Sequence, residues 1–205
     1  LFRAYKLDFC CGGHRTLRDA LERRRIDDPS VVLEALRGLT SDDEGRVDWR
    51  DRPREELIDH ILTRYHERHR QELPELIRLA YRVEQVHGER PGCPRGLGDH
   101  LSNMLEELAS HMMKEERILF PMLRRVAPDQ VMAPISMMRF EHDQHGEALA
   151  QIEALTNDIT APADACNTWR ALYAGLHQLR EDLIQHIHLE NNVLFVVTSD
   201  AVLPG

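Results

Sequence analysis

Nowhere does this chain hold the unbroken apolar run of about 18 residues that a membrane-spanning helix needs, so no transmembrane segment is expected. Cysteines number four, Cys10, Cys11, Cys93 and Cys166, and two of them are adjacent. That layout makes a poor disulfide framework, which argues against a small secreted scaffold. Positive charge is in deficit: 26 Lys and Arg against 35 Asp and Glu leave a net charge of −9. Nucleic acid and anionic membrane both want a basic surface, so neither is expected as a partner. No charged-then-apolar leader opens the sequence, and a cytoplasmic protein is expected, with any targeting segment upstream of Leu1 left open. Aromatic residues are scarce at 5%, and against that scarcity twelve histidines stand out.

The 205 residues suit one sizeable domain with a small module attached. Residues 1–45 read as a small helical module that opens on the turn Asp8-Phe9-Cys10-Cys11-Gly12-Gly13, with a helix over 16–25 and a second apolar stretch over 31–39. The segment from Thr40 to Pro53 is polar, carries Gly45 and Pro53, and contains the linker, set at 46–53. Four amphipathic segments follow, over 54–87, 97–124, 135–158 and 166–195, with apolar residues at helical spacing. Pro74 should kink the first or open a turn in it. Short connections between helices of similar length predict an all-α fold, an antiparallel four-helix bundle over 54–196 with a tail at 197–205.

The chemistry lies in an internal duplication. His111-Met112-Met113-Lys114-Glu115 followed by Leu119-Phe120 matches His186-Ile187-His188-Leu189-Glu190 followed by Leu194-Phe195, each position 75 residues apart. Upstream, His66-x-x-His69 ending in Leu73 matches His142-x-x-His145 ending in Leu149, at an offset of 76. Residues four apart on a helix share a face, so each His-x-x-x-Glu aims an imidazole and a carboxylate at one spot. A single such pair is an ordinary surface ion pair worth a few tenths of a kcal/mol, about 0.2–0.5. Two copies in register, flanked by apolar residues and by matched histidines, instead predict two carboxylates bridging two metal ions capped by imidazoles. That nitrogen-rich donor set suits iron, with manganese or zinc as rivals.

Register supports the same grouping. His66 falls roughly 18 Å into the first helix, level with His111 on an antiparallel second helix, and His142 and His186 fall at matching depths. The expected ligands are therefore His66, His111, Glu115, His142, His186 and Glu190. His69 and His145 have repeat mates and lie one turn further on; they are expected either to orient ligands or to substitute for them. His87 lies roughly 31 Å beyond His66 along a straight helix, and position 163, where its mate would fall, is Ala. Its geometry argues against ligation. His60, His100, His177 and His188 also lack mates and are left outside. Glu107 and Glu141, near the expected site, are candidates to guide iron in or out. Met104, Met112, Met122 and Met138 are expected in the core, and Cys93 and Cys166 are expected to be structural.

With these motifs in hand the chain resembles the hemerythrin-like di-iron family of iron–sulfur cluster repair proteins. The residues that carry the likeness are Asp8-Phe9-Cys10-Cys11-Gly12-Gly13, Ser110-His111-Met112-Met113-Lys114-Glu115-Glu116, Glu141-His142-Asp143 and His186-Ile187-His188-Leu189-Glu190-Asn191-Asn192. The resemblance implies a cytoplasmic stress protein that restores iron–sulfur clusters damaged by nitric oxide or oxidants, by supplying iron from a di-iron centre. Its partners would be damaged iron–sulfur proteins, with a homodimer through the first module also implied. Matching the family's metal motif picks the same six ligands; a histidine at the place of His87 also belongs to the family pattern, against the geometry above. The Cys-Cys pair falls on Cys10 and Cys11, where neighbouring Arg15 and Arg18 would favour a thiolate for redox or iron transfer. Two departures are visible: the family's first module starts before Leu1, and the fourth helix closes Leu194-Phe195-Val196-Val197 where the second closes Leu119-Phe120-Pro121. Two other functions fit the same ligands. A di-iron nitric oxide reductase would need an open coordination position and a reductant, and an oxygen or redox sensor would bind oxygen reversibly.

Overall fold

The computed structural model describes residues 17–23, 30–32, 34, 47–125 and 128–196. The Cys10–Cys11 turn, most of the first module and linker, and the tail from 197 lie outside these residues. A short helix, α1 (Leu17–Arg23), falls where the sequence predicts one. The bundle starts at α2 (Arg54–Ile61) and continues without a break through a π-helical turn, π1 (Leu62–His66), into α3 (Glu67–His87). The second helix is α4 (Leu97–Lys114), π2 (Glu115–Leu119) and α5 (Phe120–Arg125). The third is α6 (Met132–Leu155), and the fourth is α7 (Asn167–Leu189) followed by π3 (Glu190–Leu194). Among the described residues there is no strand.

One expectation is narrowed and one corrected. Pro74 opens no turn: α3 runs through it from Glu67 to His87. Helix α6 begins at Met132, two residues before Pro134, because the first-turn N–H groups have no intrahelical acceptor and a proline there forfeits nothing. Neither end of α4 is capped by its own side chains. Its N-terminus is satisfied from the neighbouring helix, where the Glu84 carboxylate accepts the Gly98 N–H at 2.8 Å and the Gly96 N–H at 3.2 Å. Gly96 turns into the helix at φ +83, a conformation glycine adopts without penalty.

Packing puts two apolar cores at opposite ends of the bundle. One gathers Leu73, Leu76, Leu101, Leu108, Met112, Ile152, Trp169, Leu176 and Leu183. The other gathers Leu57, Ile61, Leu119, Phe120, Ile135, Met138, Leu194 and Phe195. Met104 is also buried in the first core, and Met122 packs against the second. Every helix crosses from one core to the other within the same few residues, and those residues are histidines and glutamates. A polar layer is thus enclosed between two layers of hydrocarbon.

Candidate metal centre

That layer holds His66, His69, His111, Glu115, His142, His145, His186 and Glu190, each no more than 2% exposed. The three π turns begin or end on ligand candidates: π1 ends at His66, π2 starts at Glu115 and π3 at Glu190. A π turn widens the helix by one residue and recurs at functional sites. Here π2 and π3 occupy repeat-matched positions, whereas the match of π1 falls within regular α6.

The side chains sort into two groups that share their carboxylates. His66, Glu115, His186 and Glu190 offer donor atoms within 4.8 Å of one another, and so do His111, Glu115, His142 and Glu190. Each carboxylate oxygen faces one imidazole. Glu115 sets Oε2 3.3 Å from His66 Nε2 and Oε1 3.3 Å from His111 Nε2. Glu190 sets Oε1 3.2 Å from His186 Nε2 and Oε2 3.0 Å from His142 Nε2. Within each group the imidazoles also meet nitrogen to nitrogen, His66 with His186 at 3.1 Å and His111 with His142 at 3.2 Å.

The other ring edges fix the tautomers. His66 Nδ1 donates to Glu116 at 2.8 Å, His111 Nδ1 to Glu141 at 2.9 Å, and His142 Nδ1 to Asn191 at 2.9 Å. A proton on Nδ1 leaves a lone pair on Nε2. The inward-facing atoms are therefore lone pairs and carboxylate oxygens about 3 Å apart in a dry interior. Such a cluster of acceptors repels itself unless cations stand among them, and its edges fit first-row ions, whose bonds to these donors run about 2.0–2.2 Å. Without a metal, protons must do this work: burial pulls His111 down, but Glu115 and Glu141 outweigh it and raise the ring to about 10. Burial would raise Glu115, yet His111 and His66 hold its carboxyl well below the usual range.

All six expected ligands are thus brought together. His69 and His145 are in the layer but do not orient a ligand by hydrogen bonding, because all four of their ring nitrogens lack a partner. His69 lies beside His186, ring centroids 5.5 Å apart, and His145 beside His111 at 4.9 Å. Burial lowers both, His145 to about 3. His87 stays out of the layer, its Nε2 3.2 Å from Cys166 Sγ and its ring against Trp169. His60 packs on Trp49, His100 donates to the Ala148 carbonyl, and His177 and His188 meet Arg180 and Asn192.

The residues that hold the ligand rings were largely missed from sequence. Glu116 and Asn191 are repeat mates, each immediately after a bridging glutamate, so the duplication carried a signal for them. Glu141, expected as a guide for iron, instead accepts the His111 proton, and its mate is Tyr65, which stacks on His186 at 3° and 5.6 Å. His186 Nδ1 has no hydrogen-bond partner.

A bundle of antiparallel helices enclosing paired histidine and glutamate clusters defines a class of metal-binding helical protein. The chain belongs to the hemerythrin family, whose HHE cation-binding domain matches residues 57–197, and residues 1–40 match a further domain described only as DUF542, of unknown function. It is similar to the iron-sulfur cluster repair protein YtfE of Escherichia coli O17:K52:H18 and to that of Escherichia fergusonii. Each is 50% identical over 195 residues, which cover 95% of this chain and 88% of the relative. The family resemblance drawn from the motifs is therefore correct. No helix among the described residues is long and apolar enough to cross a membrane.

Proposed function

We propose that this protein holds two iron ions in the paired clusters and restores iron–sulfur clusters damaged by nitrosative or oxidative stress, by donating iron. The observation that carries the proposal is the pair of donor groups sharing Glu115 and Glu190 in a dry layer. The name and 50% identity of the relatives support the repair role. His66 and His186 would hold one ion and His111 and His142 the other, with both carboxylates bridging. When bound, the pair supplies exchangeable, redox-active metal. The chain's own residues do the rest. Glu116, Glu141 and Asn191 hold the Nδ1 protons of His66, His111 and His142 outward, so that the Nε2 of each stays available. The two apolar cores exclude water from above and below. Each group offers four protein donors, fewer than the six of an octahedral site, which favours ligand exchange.

The clients are damaged iron–sulfur proteins and the setting is the cytoplasm. Residues 1–45, with Cys10 and Cys11, form a module joined through 46–53 to the bundle of 54–196, and 197–205 follow as a tail. Donation is tested by mixing the anaerobically iron-loaded full chain with a nitric-oxide-damaged iron–sulfur enzyme. Recovery of that enzyme, matched by iron lost from this protein, is expected; no recovery overturns donation. Steady nitric oxide consumption with a reductant, and no iron transfer, would favour the reductase reading instead.

A further inference from the structure

Beyond the first apolar core two connections of the bundle meet, residues 88–96 between α3 and α4 and residues 156–166 between α6 and α7, joined by the ion pair of Arg90 with Asp164. Each connection carries a free cysteine that packs against that core, Cys93 on one and Cys166 on the other, and both are half-buried. Their surroundings differ. Cys166 Sγ lies 3.2 Å from His87 Nε2, so its thiol donates to an imidazole. Trp169, 1% exposed and three residues further along α7, packs its ring on that of His87 with centroids 5.3 Å apart, which fixes the imidazole over the sulfur. Cys93 meets no histidine among the described residues, and burial together with the Glu84 carboxylate pushes its thiol up.

A thiol within hydrogen-bond reach of a base is the arrangement of an activated sulfur nucleophile. The backbone supports the transfer of the proton. Cys166 is the N-cap of α7 (Asn167–Leu189) and spends no side-chain hydrogen bond on the helix, whereas His87 is the last residue of α3 (Glu67–His87). Once the proton has passed, the negative sulfur stands at a helix N-terminus and the positive ring at a helix C-terminus, and the peptide dipoles favour both charges. Two exposed guanidinium groups flank the pair. Arg95 Nε donates to the carbonyl of Gly88, next to His87, at 2.6 Å. Arg170 donates to the carbonyl of Ala165, next to Cys166, at 3.0 Å and to that of Ala163 at 2.7 Å. Backbone carbonyls hold both arginines in place, and neither makes an ion pair among the described residues. Of the other charges nearby, Glu84 accepts the Gly96 and Gly98 N–H groups, Asp158 pairs with Arg180, and Glu89 is exposed.

We propose that His87 and Cys166 form a thiol-exchange site that takes its second sulfur from a small disulfide bearing carboxylates, with Arg95 and Arg170 receiving those carboxylates. The Cys166 proton passes to His87 Nε2 as the sulfur attacks one sulfur of the disulfide. The small molecule's S–S bond breaks as the new Cys166 S–S bond forms, and the departing thiolate takes the proton from His87 and leaves as a thiol. Cys166 is thereby oxidised to a mixed disulfide, the small disulfide is reduced by the same electron pair, and a free thiol reverses the exchange. The inference does not rest on the proposed function, since the pair lies outside the metal layer.

The test incubates the full chain at neutral pH with oxidised glutathione, or with cystamine as a cationic disulfide, and follows adducts at each cysteine by peptide mass mapping. The mixed disulfide is expected to form at Cys166 roughly tenfold or more faster than at Cys93, and faster with oxidised glutathione than with cystamine. His87→Gln keeps a hydrogen-bonding group beside the sulfur but takes no proton; it should slow Cys166 roughly tenfold or more. That deficit should close above about pH 9, where an ordinary thiol ionises unaided. Arg95→Gln combined with Arg170→Gln should abolish the preference for oxidised glutathione. Equal rates at Cys93 and Cys166 in the wild type, or a Cys166 rate unmoved by His87→Gln, overturns the site. A wild-type preference for cystamine overturns its anionic ligand. The two cysteines are compared within one wild-type chain, so that arm needs no variant to fold.

Discussion

Glu107 and Asp182 occupy equivalent places in the two halves of the bundle and meet opposite fates. Asp182 is buried under Arg64 and Arg68, whereas Glu107 is exposed on a cavity whose lysine, Lys114, is paired with Glu141. Four residues along, the halves agree completely: His111 and His186, Glu115 and Glu190 make the same contacts at 3.2–3.3 Å. Two metal ions bridged as proposed would require like donors from both halves, which is what the two copies of His-x-x-x-Glu supply. The walls around the donors carry no such constraint. One wall is closed by ion pairs and by Tyr65 stacked on His186, and the other opens on an acidic cavity.

Removing what the halves share should have the largest effect. Glu115→Ala combined with Glu190→Ala deletes all four bridging oxygens, and bound iron is expected to fall from about two per chain to none, read by metal quantitation after anaerobic loading. Changing the outward partners sharpens the contrast between mates. Glu141→Gln disturbs the group that holds His111 Nδ1 and should weaken metal binding roughly 10–100-fold, while Tyr65→Phe keeps the stack on His186 and should leave affinity unchanged; competition with a calibrated chelator measures both. On the closed wall, Arg64→Ala strips one partner from an aspartate only 3% exposed. Since Arg64 is itself partly exposed and Arg68 remains, a loss of about 1–3 kcal/mol is expected in the denaturant midpoint of the metal-free protein. Glu107→Gln on the open wall should stay within about 0.5 kcal/mol. Smallest of all, His87→Ala should leave the metal count intact, because that ring sits with Cys166 and Trp169 outside the layer.

The sequence carried the centre more fully than its walls. The six expected ligands were legible because a metal layer imposes both a spacing and its repetition, and the 75-residue offset preserved both. Register along the helices then separated His66 from His87 using nothing more than the rise per residue. The π turns were not legible: Leu62–His66 and Glu115–Leu119 look like ordinary helix in composition, and the extra residue is accommodated by backbone geometry. Of the two outcomes that Pro74 left open from sequence, a kink or a turn, the turn is excluded because the helix runs on through it to His87. Asp182 was overlooked for a different reason. A lone aspartate in a charged helix signals nothing until Arg64 and Arg68, more than a hundred residues away, are seen to close over it. Glu116 and Asn191 could have been found by carrying the repeat one residue past each bridging glutamate.

The central claim is that two metal ions share Glu115 and Glu190, and anaerobic iron loading followed by iron quantitation and magnetic spectroscopy of the oxidised protein tests it most directly. The account predicts about two irons per chain whose spins are coupled through the shared carboxylates. One iron per chain, or two that behave as isolated ions, would contradict it.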